Sequence, residues 1–169
     1  MLDAYLAVET TGCISSYDKI IILGLYLDNG NQRKIVQLTG EDLTQESLIA
    51  ALSGVQNLFT YNGNRFDLPF IQEILKINVE AIVPNYHDLI YDCWRCNLYG
   101  GLKESEKQIN IHRKNPSMCP VGMVNLLRKY HEKGDRKVIA ALLEYNRQTI
   151  MNLKIVRARM PWLALVQKM

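Results

Sequence analysis

The stretch that decides the fold is Thr60-Tyr61-Asn62-Gly63-Asn64-Arg65-Phe66-Asp67-Leu68-Pro69-Phe70-Ile71. It follows a short apolar run typical of a β-strand and passes through Asn-Gly, a pair that readily turns the chain. Asp67 stands at a position suited to a helix start, and Pro69 fits the first turn of that helix. The stretch therefore predicts a strand end that carries a cluster of polar residues directly into a helix.

Two further segments carry polar residues into predicted regular structure. The first is Ala4-Tyr5-Leu6-Ala7-Val8-Glu9-Thr10-Thr11-Gly12, where positions 7 and 9 of a strand would face the same way. The second is Glu144-Tyr145-Asn146-Arg147-Gln148-Thr149-Ile150-Met151-Asn152-Leu153 near the C-terminus, where the pattern predicts a helix. Between them lie Tyr86-His87-Asp88-Leu89 and Gly101-Leu102-Lys103.

The apolar pattern predicts strands first and helices later. The predicted strands are residues 4–9, 20–27, 33–38 and 57–61, with a hairpin turn at Asp28-Asn29-Gly30-Asn31 and an extended stretch at 81–86. The predicted helices are residues 45–53, 67–77, 88–98, 102–109, 121–132, 136–144 and 145–159. This order indicates an α/β or α+β fold with a mixed central sheet.

Length and composition predict one globular domain over residues 1–169. The first 100 residues hold 6 Lys and Arg against 12 Asp and Glu, whereas residues 101–169 hold 14 against 5, giving the net +3. The basic half is typical either of polyanion binding or of solvated helix faces. The four cysteines follow no disulfide framework, and neither a secretion signal nor a membrane span is predicted, which favours the cytoplasm.

Taken together, the three segments resemble the ribonuclease H-like 3′–5′ exonucleases of the DEDD type, in its tyrosine-containing (DEDDy) form. They are similar to the proofreading exonuclease domain of family B DNA polymerases, whose motifs read D-x-E-T-T-G, T-Y-N-G-x-x-F-D-L-P-F and Y-N-x-x-D-V-x-N-L. The resemblance spans residues 4 to about 155, with a Gly134-Asp135 turn in the expected place. It implies a ribonuclease H-like α/β fold whose mixed central sheet is flanked by helices.

The resemblance also implies a site for two divalent ions, Mg²⁺ or Mn²⁺, held by four carboxylates near a tyrosine. Those positions fall here on Ala7, Glu9, Asp67 and Thr149, with Tyr145 in the tyrosine place. Glu9, Asp67 and Tyr145 are thus the candidate catalytic residues, and Glu9 and Asp67 the candidate metal ligands. Two of four carboxylates are missing, so the resemblance predicts a single weakly bound ion or none.

No acidic residue near either vacancy offers a replacement. Asp3 shares the face of Ala7 but lies about 13 Å along the strand, at ~3.3 Å per residue. The residues that share a helix face with position 149 are Tyr145, Asn146, Asn152 and Leu153, none of them acidic. Asp88 and Asp92, on another element, remain open as substitutes.

The predicted partner is single-stranded nucleic acid, DNA or RNA. The candidate contacts are Thr10, Asn62, Arg65, Lys103 and Arg113. Asn62 has the alternative role of holding its turn, and the basic residues around 103–114 have the alternative of a solvated surface. Aromatic residues 61, 66 and 70 are candidates for base stacking, with core packing favoured for Phe66 and Phe70.

Three hypotheses follow for the function. The leading one is a nucleic-acid-binding domain with impaired catalysis, a pseudoenzyme. The others are an active exonuclease with a rearranged ligand set or an engineered Ala7, and a protein-interaction module that does not bind nucleic acid. The pair Cys93 and Cys96 lacks the second pair of ligands that zinc needs, so buried thiols are the favoured interpretation.

Overall fold

The computed structural model describes the backbone of residues 1–114 and 136–166 and the side chains of residues 1–114 and 137–160. Its centre is a five-stranded sheet in the order β3-β2-β1-β4-β5. The strands are β1 Asp3–Thr10, β2 Ile20–Asp28, β3 Arg33–Thr39, β4 Asn57–Thr60 and β5 Asn85–Asp88. The first three pair antiparallel, whereas β4 pairs parallel with both β1 and β5. The sheet is therefore mixed, as predicted.

The predicted hairpin between β2 and β3 is confirmed. Gly30 has a φ of +91°, a conformation that glycine adopts without strain. The Asp28 carboxylate accepts a hydrogen bond from the Gly30 N–H at 2.7 Å, and the Asn29 side chain accepts from the N–H groups of residues 31 and 32. Local side-chain hydrogen bonds thus fix the turn that sets the register of β2 against β3.

The helices are α1 Gln45–Leu52, α2 Asp67–Leu75, α3 Val79–Ile82, α4 Leu89–Arg95, α5 Leu102–Gln108 and α6 Arg136–Val166, with a short 3-10 helix at Gly40–Asp42. Two predictions were wrong in detail. An extended stretch was expected at 81–86, but residues 79–82 form a helical turn, closed by the Val83 N–H donating to the Val79 carbonyl, and the strand begins only at Asn85. The two helices predicted at 136–144 and 145–159 are one continuous helix. The predicted helix at 121–132 and the turn at residues 134–135 lie outside the described residues.

The side chains of β1 alternate between the two faces of the sheet, and each face is covered by its own apolar cluster. Ala4, Leu6 and Val8 pack in one buried cluster with residues of α1 and α2. Tyr5 and Ala7 pack in a second buried cluster, on the other face, with residues of α4 and α6. Because strand side chains alternate between faces, Glu9 is directed with Ala7 toward α6. None of the described helices has the length and apolar character required to cross a membrane.

Candidate active site

A pocket of about 430 Å³ lies where the end of β1, the start of α2 and the middle of α6 meet. It is lined by Leu6, Ala7, Val8, Glu9, Tyr61, Phe66, Asp67, Gly101, Leu102, Lys103, Glu104, Arg113, Tyr145, Thr149 and Leu153. The three segments that the sequence singled out are thus brought together around one cavity. The four positions implied for metal-binding carboxylates and the implied tyrosine position all line this pocket.

The β1 side of the pocket presents a methyl group and a buried carboxyl group. Ala7 pairs across the sheet with Gly24, and Glu9 is only 8% exposed. The Asn146 side chain on α6 donates to the Ala7 carbonyl at 3.1 Å and to Glu9 Oε1 at 3.3 Å. Burial raises the pKa of Glu9 to about 8, although the hydrogen bond from Asn146 opposes the shift. The only acidic group that β1 offers to the pocket is therefore desolvated and already hydrogen-bonded.

The α2 side of the pocket presents Asp67, the first residue of that helix. Its Oδ1 accepts a hydrogen bond from the Val8 N–H at 2.8 Å, so the side chain ties the helix start to β1. Burial raises the pKa of Asp67 to about 7, partly offset by that hydrogen bond. Asp67 therefore has a structural role in addition to facing the pocket.

The α6 side of the pocket presents Tyr145 and Thr149, one helical turn apart. Thr149 Oγ1 donates to the Tyr145 carbonyl at 3.1 Å and accepts from Arg113 Nη1 at 2.9 Å. The Tyr145 ring lies within cation–π distance of the Arg113 guanidinium, 4.9 Å, and of Lys103 Nζ, 5.1 Å. The position of the fourth implied carboxylate is thus taken by a hydroxyl that bonds to a cation.

That cation belongs to a buried ion pair that no sequence motif predicted. Arg113 Nε and Nη2 donate to the two carboxylate oxygens of Glu106 at 2.6 and 2.7 Å. The side chain of Arg113 is 4% exposed and that of Glu106 is 2% exposed. Asn152 on α6 also donates to Glu106 at 3.0 Å, which attaches the pair to the helix. The only signal in the sequence was an acidic residue seven positions before a basic one, which is too common to single out.

Comparison with known proteins assigns the family. The model of the RNase_H superfamily matches residues 4–160, nearly the whole chain. The chain belongs to the RNase_H superfamily. No curated protein matches the sequence. The predicted ribonuclease H-like fold is thereby confirmed.

Solved structures with the same RNase H-like fold include nucleases and a polymerase. The family B DNA polymerase of the hyperthermophilic archaeon Pyrobaculum calidifontis matches with a TM-score of 0.66 and 13% identity, over 96% of this chain and 25% of the polymerase. The apo form of a nuclease matches with a TM-score of 0.57 and 16% identity, over 99% of this chain and 74% of that one.

A third similar structure is the zinc-bound complex of E. coli ExoI with single-stranded DNA. It has a TM-score of 0.50 and 13% identity, and the match covers 85% of this chain and 43% of that one. The chain thus spans a quarter of the polymerase and less than half of ExoI. Identities this low show a shared fold. A family B DNA polymerase is also one of the proteins that the sequence motifs resemble.

The RNase H-like site of this chain does not fit a pair of divalent ions. Among the described residues no group of three or more His, Cys, Asp or Glu side chains converges on one point. Asp88, left open as a substitute, instead accepts hydrogen bonds from the N–H groups of residues 62, 64 and 90. Asp92 pairs with Arg95 at the surface. Neither lines the pocket, which therefore has Glu9, Asp67 and Glu104 as its acidic lining residues.

The predicted nucleic-acid contacts divide into two groups. Lys103 and Arg113 line the pocket, with Arg113 turned inward into its ion pair. Thr10 is buried and donates to the Gly12 carbonyl at 2.5 Å, and Asn62 has a φ of +60° in the turn before α2. Arg65 is exposed outside the set of lining residues. That any of these residues contacts nucleic acid stays a prediction.

Cys93 lies on the inner side of α4 and Cys96 directly follows the end of that helix, and both thiols are buried, as the favoured interpretation of the C-x-x-C pair expects. Cys93 is fully buried and Cys96 is 4% exposed. Burial raises the pKa of the Cys93 thiol to about 11, so its thiolate, the form that binds metals, is disfavoured. Phe70 is buried in the core and Phe66 packs against it at a ring distance of 5.0 Å, in agreement with core packing.

Proposed function

We propose that this chain is an RNase H-like domain that binds single-stranded nucleic acid and hydrolyses it poorly or not at all. The observation that carries the proposal is the composition of the pocket at the implied metal site. Ala7 and Thr149 face it where carboxylates are needed, beside Glu9 and Asp67. A methyl group cannot ligate Mg²⁺ or Mn²⁺, and a hydroxyl is a weaker ligand than a carboxylate. The site therefore lacks the charge needed to hold two ions at the scissile phosphate.

The shape and lining of the pocket support binding of a nucleotide chain. Its volume of about 430 Å³ lies within the ~300–1,000 Å³ of small-ligand sites. Tyr61 and Tyr145 contribute aromatic surface, and Lys103 contributes a cation beside the Tyr145 ring. Aromatic faces and cations together bind single strands with little sequence preference. The similar ExoI structure is itself a complex with single-stranded DNA, which favours the same class of partner here.

The cleavage half of the proposal is tested with the full chain and end-labelled single-stranded DNA and RNA, in Mg²⁺ or Mn²⁺, with and without a chelator. We expect no shortening of either strand beyond that seen with chelator. Robust degradation that the chelator abolishes would show an active exonuclease with a rearranged ligand set and would overturn this half.

The binding half is tested by fluorescence anisotropy with labelled oligonucleotides over a range of salt concentrations. We expect binding at low ionic strength that weakens as salt rises, because Lys and Arg contacts to phosphates release counterions. Absence of binding even at the lowest salt would contradict the proposal and favour a protein-interaction module.

A further inference from the structure

The Thr149 hydroxyl, which stands where the fourth carboxylate is missing, accepts a hydrogen bond from the buried Arg113 guanidinium. We propose that Arg113 is a built-in cation that stands in place of a metal ion and keeps divalent ions out of the pocket, even when the two missing aspartates are restored. This inference deepens the proposed function and rests on it. The inference goes beyond the proposed function because it names a third difference, in addition to Ala7 and Thr149, between this pocket and a metal-binding site.

The guanidinium is held at this point by three directed hydrogen bonds. Two run to the Glu106 carboxylate and one, of 2.9 Å, runs from Nη1 to Thr149 Oγ1. Glu106 is fixed in turn by the Asn152 side chain at 3.0 Å. A planar guanidinium paired with a carboxylate through two parallel bonds is a rigid arrangement. The charge therefore has a fixed location, within hydrogen-bond distance of position 149.

A fixed cation at this distance changes what an acidic residue at position 149 would do. The guanidinium remains protonated at any accessible pH, so its charge does not leave the pocket. A carboxylate replacing the Thr149 hydroxyl would find a hydrogen-bonding cation already beside it and would pair with that cation. A divalent ion arriving between them would face like-charge repulsion at close range, in a site with little solvent screening. Arg113 also acts electrostatically on Glu9, the surviving ligand position on β1.

The first experiment compares two substitutions at position 149 in the otherwise natural chain. Thr149→Asp introduces the carboxylate, and Thr149→Asn is the neutral control of the same shape. We expect the Asp variant to melt at a higher temperature than the Asn variant, by roughly 2–4 °C or more, with Mn²⁺ adding nothing to the difference. Equal melting temperatures, or a stabilisation of the Asp variant that requires Mn²⁺, would overturn the proposal.

The second experiment measures Mn²⁺ binding directly, through the electron paramagnetic resonance signal of the free ion. Ala7→Asp with Thr149→Asp restores the implied ligands, and a quadruple variant adds Arg113→Met and Glu106→Gln. Glu106 is changed as well so that no buried carboxylate is left without a partner. We expect the double variant to bind Mn²⁺ within about twofold of the natural chain and the quadruple variant at least tenfold more tightly.

Each result of the second experiment is decisive. Tight Mn²⁺ binding by the double variant would show that Arg113 is no barrier. A folded quadruple variant that fails to bind Mn²⁺ would show that removing Arg113 does not open the site. If the quadruple variant does not fold, the comparison of Thr149→Asp with Thr149→Asn still decides, since it leaves Arg113 in place. Neither experiment involves nucleic acid, so the proposed function can fail or hold independently of this inference.

Discussion

Asn146 is the residue that joins α6 to the sheet beside the pocket. It is fully buried, donates to the Ala7 carbonyl and to Glu9, and accepts a hydrogen bond from Gln37 at 3.0 Å. The sheet admits this side chain because Gly24, the cross-strand partner of Ala7, has none. A Cβ placed on Gly24 would lie 1.9 Å from Asn146 Oδ1. The absence of one side chain on β2 therefore sets how closely α6 approaches the strand that carries the site.

Gly24→Ala is expected to destabilise the fold by about 1–3 kcal/mol, the usual cost of forcing extra volume into a packed interior. Asn146 must move, and its bonds to Ala7 and Glu9 lengthen or break. Urea denaturation followed by circular dichroism measures the effect. Gly101→Ala is the matched control, because a Cβ there meets no atom within 4 Å. A loss of stability no larger than that of the control would contradict the role given to Gly24.

The sequence located the five implied site positions because each lies in a motif with many defined neighbours. It did not reveal that Arg113 turns inward, because that depends on how the chain leaves α5. Asn110 adopts a positive φ of 58°, and the Ile111 N–H bonds back to the Glu106 carbonyl. This local turn brings residue 113 back over residue 106 and against α6. Neither the hydrophobic periodicity nor the composition of the sequence predicts such a turn.

At the scale of elements, strands β1 to β4 were predicted to within one or two residues, whereas the start of β5 and several helix ends were predicted less well. β1, β2 and β3 are bounded by polar or turn residues, so their apolar runs end abruptly. The division of α6 at residue 144 was wrong because polar residues recur along the exposed face of any amphipathic helix, so a polar stretch does not mark a helix end. Residues on α6 from Val138 to Met160 pack against the sheet and α4, and this long contact keeps the helix continuous.

Arg113 and Glu106 form a buried ion pair that also hydrogen-bonds to α6. We therefore expect a strong energetic coupling between the two residues. Arg113→Met alone is expected to cost roughly 3–5 kcal/mol, because it leaves a buried carboxylate without its cation. The double change Arg113→Met with Glu106→Gln is expected to cost much less, since no charge remains to be desolvated. A double-mutant cycle of unfolding free energies measures the coupling. Additive effects of the two single changes would show that Arg113 and Glu106 do not stabilise each other.

The burial of α4 predicts how its thiols respond to pH. Because burial raises the pKa of Cys93 to about 11, the thiol stays protonated as the pH rises from about 7 to about 9. Iodoacetamide is therefore expected to modify exposed Cys13 in the folded protein across this range, and Cys93 only after denaturation. Peptide mapping by mass spectrometry identifies the modified residue. Modification of Cys93 in step with Cys13 would contradict the burial of this face of α4.

In the whole molecule, the basic residues that follow position 100 in the sequence lie in two environments, the surface and the interior. Lys103, Lys107 and Lys114 follow one another around α5 and the segment after it, with Lys103 at the pocket itself. Lys107 and Lys114 are exposed, with Lys107 paired to Glu104 at the surface, whereas the Arg113 charge is buried in its pair with Glu106. The basic half thus contains charges at the surface as well as a buried charge with a structural role. That residues 1–169 form one domain stays a prediction.

Lys103 is expected to contribute to the salt dependence of binding to a single strand. Removing one cation that binds a phosphate is expected to reduce the slope of log K against log salt by about 0.7. Lys103→Ala should therefore weaken binding and lower the slope by about that amount, because Lys103 borders the pocket beside Tyr145. Lys34→Ala on β3, which removes the same charge away from the pocket, should leave the slope unchanged.

Equal effects of the two variants would mean that the protein attracts nucleic acid through its overall charge, with no contact at the pocket. A change in affinity without a change in slope would mean that Lys103 acts by positioning the Tyr145 ring, since a stacking contact releases no counterion.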